Sequence, residues 1–549
     1  MNRYDYIIVG AGAAGCVLAN RLSGDPSIRV LLVEAGPADR GWRIHMPAAL
    51  AYPMQNPRLN WGYCTQPQPH LDGRRINWPR GRVLGGSSSI NGMVYVRGHP
   101  LDFERWEQEG AQGWNWASVL PYFKRSESFA TGTDPYRGAD GPLQVKRADG
   151  DNPLHHAWIE AGRQAGYAVT SDINGYRQEG VGRLDMTIHR GRRWSAARAY
   201  LHPALKRRNL TVLTGALALR ILFEGRRARG LQISHDGQLR DLTADREILL
   251  AGGAINSPQL LQLSGIGDPK RLEAIGIKTV VDNRQVGENL QDHLCIYVQH
   301  ECLTNDSLAA ALKPLTKLGI GARWLATQTG PGASNHFETG GFIRTAAGVS
   351  HPDLQYHFMP LAMGYEDKKS RIAPSYQVDA DALRPESRGS VHIHDADPRS
   401  APIIDANYLS TQGDRRLLRE AVRLTREIFG QAAFARFRGR EIAPGPNVSS
   451  NAEIDAYVRA TAESAYHPSC TCRMGSDDEA VVDSECRVRG AEGLRVVDAS
   501  IMPSILSGNL NGPTMMMAER AADLILGRPT LAAEPMPFFV APDWRTVQR

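Results

Sequence analysis

The chain has 549 residues, 42% apolar, 22% charged and 7% aromatic, an ordinary globular composition that excludes disordered and fibrous classes and provides for three or four domains at about 150 residues each. Its 64 basic and 58 acidic residues leave a net charge of +6, too small and too scattered for a nucleic-acid binder. Seven cysteines argue for a reducing compartment without a disulfide framework. Cys470 and Cys472 lack the second pair of a zinc site, so no metal is expected, and no run nears the length of a membrane span.

The 54 glycines are about 10% of the chain against a usual level of about 7%, which points to backbone packed against a ligand. The first forty residues say which kind. Residues 6–9 are a short buried strand, Gly10-Ala11-Gly12-Ala13-Ala14-Gly15 a glycine turn, and residues 16–22 a helix stopped by Ser23-Gly24-Asp25-Pro26. Residues 29–33 are a second strand ending at Glu34. This is the dinucleotide-binding unit. Gly10 permits the turn, Gly12 lets a pyrophosphate reach the backbone, and Gly15 lets helix pack on strand. Open N–H groups at the helix start receive phosphate. Glu34 accepts ribose hydroxyls and repels a 2′-phosphate. The unit alone suits NAD or FAD, and its bland alternative is a structural turn.

Residues 79–92, with Gly85-Gly86-Ser87-Ser88-Ser89 and Asn91-Gly92, make a backbone cradle rather than a flexible linker, because a strand at 93–96 follows. Strands are expected at 210–213 and 218–223. Another at 247–251 ends in Gly252-Gly253. The next helix should take Ser257 as N-cap and Pro258 as its first residue. Residues 305–460 lack any nucleotide signature. Helical stretches at 308–325 and 414–428 alternate with strands such as 354–358, which suggests a second domain supplying a substrate cavity. The polar loop 367–371 reads as solvated, with a lid margin as its alternative. Towards the end come Tyr466-His467, a strand at 494–497 before Asp498, and Gly508-Asn509-Leu510-Asn511-Gly512-Pro513-Thr514 leading into a helix.

Residues 81–91 and 253–267 match the two signatures of the glucose–methanol–choline (GMC) oxidoreductases, and the chain resembles this family from residue 4 to about residue 527. Within it, Asn60-Trp61, Arg97-Gly98-His99, Trp194-Ser195-Ala196-Ala197-Arg198 and Asn289-Leu290-Gln291-Asp292-His293 are most similar to bacterial alcohol and choline dehydrogenases. The resemblance implies an α/β fold: a Rossmann-like FAD-binding domain from residues 1–155, 190–304 and 463–549, and a discontinuous α+β substrate-binding domain from 156–189 and 305–462. It places the ADP half of FAD against Gly10, Gly12, Ala13, Ala14, Gly15, Glu34 and Ala35, with adenine at Ala218. Arg82, Gly86, Ser87, Asn91, Gly92, Met93 and Val94 follow the pyrophosphate and flavin. Ala251, Gly252, Asp498, Ala499, Asn511, Pro513 and Thr514 complete the contacts. Ile90 stands where some relatives carry a flavin-linked histidine, so the FAD is expected to be non-covalent. His467 matches the catalytic base and Asn511 its partner. Ser469-Cys470 replaces the Val-Gly of relatives, a change that bears on pocket shape.

The reaction so implied is FAD-dependent oxidation of a primary alcohol to the aldehyde, with hydride passing to flavin N5, the proton to His467, and electrons onward to a quinone or other non-NAD carrier. Histidine suits that proton transfer near neutral pH. His357, Phe358, Phe337 and Tyr466 are the expected substrate contacts. An apolar pocket for an aliphatic or aryl alcohol is the first expectation. Choline needs an aromatic cage or carboxylate, for which Glu338 is the candidate. Choline dehydrogenase, an oxygen-using alcohol oxidase, a flavin-containing lyase, a non-catalytic flavin protein and an NAD-linked dehydrogenase remain as alternatives. The expected location is cytoplasmic, with peripheral contact at the inner membrane face.

Overall fold

The computed structural model describes residues 3–362 and 373–549; the polar loop 367–371 lies outside them. Its principal elements, in chain order, are β1 (Arg3–Val9), α1 (Ala13–Leu22), β2 (Val30–Glu34), α2 (Pro153–Gln164), β3 (Gly180–Arg183), β4 (Leu210–Thr214), β5 (Ala216–Glu224), β6 (Arg227–His235), β7 (Gln238–Leu250), α3 (Gly253–Leu263), β8 (Leu294–Cys302), α4 (Pro314–Thr327), β9 (Thr339–Ile343), β10 (Leu354–Met359), β11 (Ser375–Ala382), α5 (Gln412–Phe429), β12 (Arg438–Ala443), β13 (Leu494–Val496) and α6 (Asn511–Ile525).

Two sheets organise them. The first runs β4-β2-β1-β7-β6-β5, with β13 also on β7. β1, β2, β4 and β13 are parallel to the C-terminal half of β7 or to one another. β2 is buried at every residue, as a parallel strand covered on both faces must be. Register pairs Val9 with both Val33 and Leu250, and Leu250 with Val496, so four strands end together at one crevice, the usual ligand position in such sheets. α1 reaches β1 closely because Gly15 has no side chain; a Cβ there would sit 1.9 Å from the Gly10 carbonyl oxygen.

The second sheet is antiparallel, in the order β12-β8-β11-β10-β9-β3. Its strands alternate faces. Ile296, Val298, Tyr356, Phe358, Val378 and Ala380 are buried in one apolar cluster with residues of α2 and α5. Trp158 of α2 stacks on Phe358 at 5.3 Å between ring centres. The other face turns towards the crevice of the first sheet.

Two local expectations change. Residues 294–302 were expected with the FAD-binding segment 190–304, yet β8 pairs with β11 and β12 inside the second sheet, so the chain crosses over before Leu294. α3 begins at Gly253, not after Ser257. Pro258 therefore lies inside the helix, where it deprives the Ala254 carbonyl of its usual donor. Thr471 Oγ1 donates to that carbonyl at 2.7 Å, which lets the proline stand. Ser257 Oγ, freed from capping, donates to Asp498 at 2.5 Å.

Candidate active site

One cavity of about 1470 Å³ runs from the crevice of the first sheet to the polar face of the second. Gly10, Gly12, Ala13, Ala14, Glu34, Ala35, Ala218, Ala251 and Gly252 line its nucleotide end. Gly86, Ser87, Asn91, Gly92, Met93, Val94, Asp498, Ala499, Asn511 and Thr514 line the stretch beyond, and His357, Phe337, Tyr466 and His467 the far end. Gly15, Arg82, Pro513 and Phe358 are not in its wall. Gly15 serves helix packing. Arg82 lies over the ring of Trp61 at 4.9 Å, and Trp61 is in the wall. Phe358 points to the opposite sheet face, because neighbours on a strand cannot both face the cavity.

The nucleotide end fits a dinucleotide. α1 starts without a side-chain cap, so its open N–H groups and dipole meet the cavity. A Cβ on Gly86 would come within 2.7 Å of Gly12 Cα, so the two glycine segments touch backbone to backbone. Glu34 accepts from the N–H groups of Ala11 and Gly36, each at 2.8 Å, and burial still lifts its carboxyl to about 7. Met93 holds a positive φ of 60°, a strained backbone typical of a functional wall. Its N–H donates to Asn91 Oδ1, which also accepts from buried Arg193 at 2.8 Å. α6 also starts uncapped. Ile90, in the wall, offers no atom for a covalent flavin link.

At the far end His467 is fixed from three sides. Its backbone N–H donates to Asp292 at 2.7 Å. Asp292 also accepts from Ser464 at 2.5 Å and from Tyr408, and burial raises its carboxyl to about 6. The ring Nδ1 lies 3.0 Å from His293 Nδ1, and the ring Nε2 lies 3.1 Å from Asn509 Nδ2. His293 Nε2 faces the Leu383 carbonyl at 3.0 Å, so it carries a proton, and burial holds that ring neutral by pulling its pKa to about 4. His293 Nδ1 is therefore an acceptor. His467 Nδ1 must donate to it, which leaves the Nε2 lone pair as the basic site. Burial, with His293, Arg80 and His357 nearby, holds the His467 imidazole well below its ordinary pKa.

Asn509 links this base to the sheet. Its Oδ1 accepts from Gln355 at 3.0 Å, and Gln355 also donates to His357 Nε2 at 2.9 Å. His357 Nδ1 meets Asp381 at 3.1 Å. Burial opposes protonation of His357, but Asp381 outweighs it and the pKa rises. Asn511 lines the cavity at the start of α6; the side chain bonded to His467 is that of Asn509. Ser469 and Cys470 do not reach the cavity. Instead, Cys470 takes the place of a glycine with φ of 73°, so this departure loads the backbone and leaves the pocket wall alone. His293, Asp292, Asn509 and Arg80 carried no assigned role in the sequence. The only signal for the first two was their place in the Asn289–His293 stretch.

The family model described as GMC oxidoreductase matches residues 4–295 with its N-terminal part and 385–518 with its C-terminal part. The chain belongs to the GMC oxidoreductase family. It is an FAD-dependent oxidoreductase acting on CH–OH donors. It is 54% identical over 547 residues to the mitochondrial choline dehydrogenase of Homo sapiens, covering 98% of this chain and 92% of that one. It is 50% identical over 547 residues to the oxygen-dependent choline dehydrogenase of Brucella anthropi, covering 99% and 100%. Among solved structures, pyridoxine 4-oxidase from Mesorbium loti superposes with a TM-score of 0.87 at 35% identity, covering 96% and 100%. Formate oxidase superposes with 0.90 at 26% identity, covering 96% and 98%.

Proposed function

We propose that this GMC oxidoreductase oxidises the hydroxymethyl group of a small alcohol bearing an ammonium centre, choline or a near analogue, to the aldehyde, with His467 as base and electrons leaving to a quinone or other carrier. The observation that carries this is the acidic sheet face beside the base. Asp379 and Asp381, on the same side of β11, both line the cavity, with Tyr297 on β8 and His357 on β10 as register neighbours of Asp379. Asp381 is matched by His357. Among the described residues Asp379 accepts only from neutral Gln377, at 2.8 Å, and it is part-exposed into the cavity. Burial and Asp381 lift its carboxyl to about 7. A cation there gains Coulomb energy in a weakly screened site and aromatic contact with Tyr297, Tyr466 and Phe337. This wall is polar, unlike the apolar pocket that an aliphatic or aryl alcohol requires. Glu338 is not in it: its carboxylate accepts from the Gly150 N–H at 2.8 Å and from Ser334 at 2.5 Å. The names of the relatives at 50–54% identity support the same reading.

FAD, when bound, supplies the hydride acceptor. The protein supplies the rest. His467 Nε2 takes the hydroxyl proton, while Asn509, donating to that nitrogen in the resting site, sets the ring plane. Asn511, in the wall, is the candidate donor to the alkoxide oxygen as charge develops. The test is anaerobic addition of choline, of its neutral isostere 3,3-dimethylbutan-1-ol, and of linear primary alcohols to the yellow enzyme. Bleaching is expected at far lower choline than isostere concentration. Preferential bleaching by linear alcohols would overturn the reading.

A further inference from the structure

Of the 14 residues of α4 only Trp324 is buried. Its indole N–H donates to the Gly191 carbonyl at 2.7 Å and its ring packs with Met46 and Ala49. Opposite that anchor, at positions i, i+3, i+7 and i+10, lie Leu315, Leu318, Ala322 and Leu325, one continuous stripe at helical spacing. The three leucines are 84%, 71% and 62% exposed. A surface helix normally turns such a stripe inward; α4 turns it out. Single exposed apolar residues are ordinary, but a continuous apolar face marks an interaction surface. Beside it Trp42 and Tyr52, each 41% exposed, meet edge to face at 5.7 Å.

Along the segment that carries the stripe, the charge has one sign. From Ser307 to Phe337 the sequence holds no Asp or Glu, yet it holds Lys313, Lys317 and Arg323. The Lys317 ammonium lies 5.2 Å from the Tyr52 ring centre. Pairing two copies through this face would set cation against cation. An anionic lipid surface answers every feature: leucines enter the acyl boundary, Trp and Tyr sit at headgroup depth, and the cations meet phosphates. At about 1.5 Å per residue the helix is too short for a bilayer core of about 30 Å, and no helix among the described residues is long and apolar enough to cross a membrane. The helix would therefore lie in the interface plane.

We infer that α4, with Trp42 and Tyr52, is a peripheral docking face for an anionic phospholipid bilayer. Leu318, Leu325, Trp42 and Tyr52 also line the cavity, so docking would bring its mouth to the lipid surface. This holds whichever alcohol is oxidised.

The test is co-sedimentation of the full-length, FAD-loaded protein with vesicles of phosphatidylcholine containing phosphatidylglycerol, against phosphatidylcholine alone. The protein is expected to sediment with the anionic vesicles and to be released by salt. Leu315→Ser/Leu318→Ser/Leu325→Ser should weaken binding by about tenfold or more. Lys313→Ser/Lys317→Ser/Arg323→Ser should remove the preference for anionic lipid. Melting temperature and the bound-flavin spectrum check that both variants are folded. Failure of the wild type to bind either vesicle, or a leucine variant that binds as tightly as wild type, would overturn the inference. So would a dimer formed by wild type alone, without vesicle binding, which would assign the face to a second copy of the chain.

Discussion

The Nδ1 atoms of His293 and His467 lie 3.0 Å apart, and a single proton joins them. Because His293 already donates through Nε2 to the Leu383 carbonyl, that proton belongs to His467, and the relay fixes which of its nitrogens is basic. Replacing His293 by phenylalanine removes the acceptor and frees the other tautomer. The expected result is a fall of about 10–100-fold in the rate of flavin reduction, with FAD still bound and KM changed much less. His467→Ala should nearly abolish reduction. A His293→Phe enzyme with the wild-type rate would detach His293 from the base.

Asp379 gives the reaction a pH signature. A cation is attracted by its carboxylate, not by its neutral acid, and the carboxyl titrates near 7 in the free enzyme. The kcat/KM of a cationic alcohol should therefore rise as pH increases through about 7 and then level off, since kcat/KM reports the free enzyme. His467, held well below its ordinary range, stays in its basic form throughout that window. Glu34 also titrates near 7, but at the nucleotide end its effect would move charged and neutral alcohols alike. The profile for 3,3-dimethylbutan-1-ol should lack the extra rise. Asp379→Asn should flatten the choline profile and lower kcat/KM by about 2 kcal/mol, roughly thirtyfold.

Thr471→Val tests the proline inside α3. The substitution keeps the shape and removes the hydroxyl that satisfies the Ala254 carbonyl. An acceptor left alone in a buried place costs about 1–3 kcal/mol. A lower melting temperature is expected, and a Thr471→Ser variant should recover part of it. An unchanged melting temperature for Thr471→Val would show that the carbonyl finds another donor.

The parts legible in the sequence are those whose residues are close in the chain. The unit from β1 to Glu34 could be read because each glycine acts on its neighbours, and the structure places Gly10, Gly12 and Glu34 in one wall. The acidic face could not, because Tyr297, His357 and Asp379 come together only through the register of three strands. Naming both His357 and Phe358 as cavity residues overlooked alternation along β10. Asn509 was hidden beside the more familiar Asn511, since a two-residue difference in an irregular segment decides which amide meets His467. The start of α3 was missed because Pro258 suggests a first turn, and only Thr471, more than two hundred residues later, makes an interior proline tolerable.

The start of α6 offers a further test. No side chain caps it, and Pro513 has no N–H, so the open donors of its first turn are those of Asn511 and Gly512; the Thr514 N–H already bonds the Leu510 carbonyl. Asn511 and Thr514 line the cavity, and the helix presents the positive end of its dipole there. A bound flavin gains negative charge on reduction, which that end would favour. Thr514→Asp sets a carboxylate against the same charge, so the reduction potential of the bound flavin should fall. Thr514→Asn, similar in size but uncharged, should leave it near wild type. Equal potentials in the two variants, measured with FAD content matched, would show that this helix end does not act on the flavin.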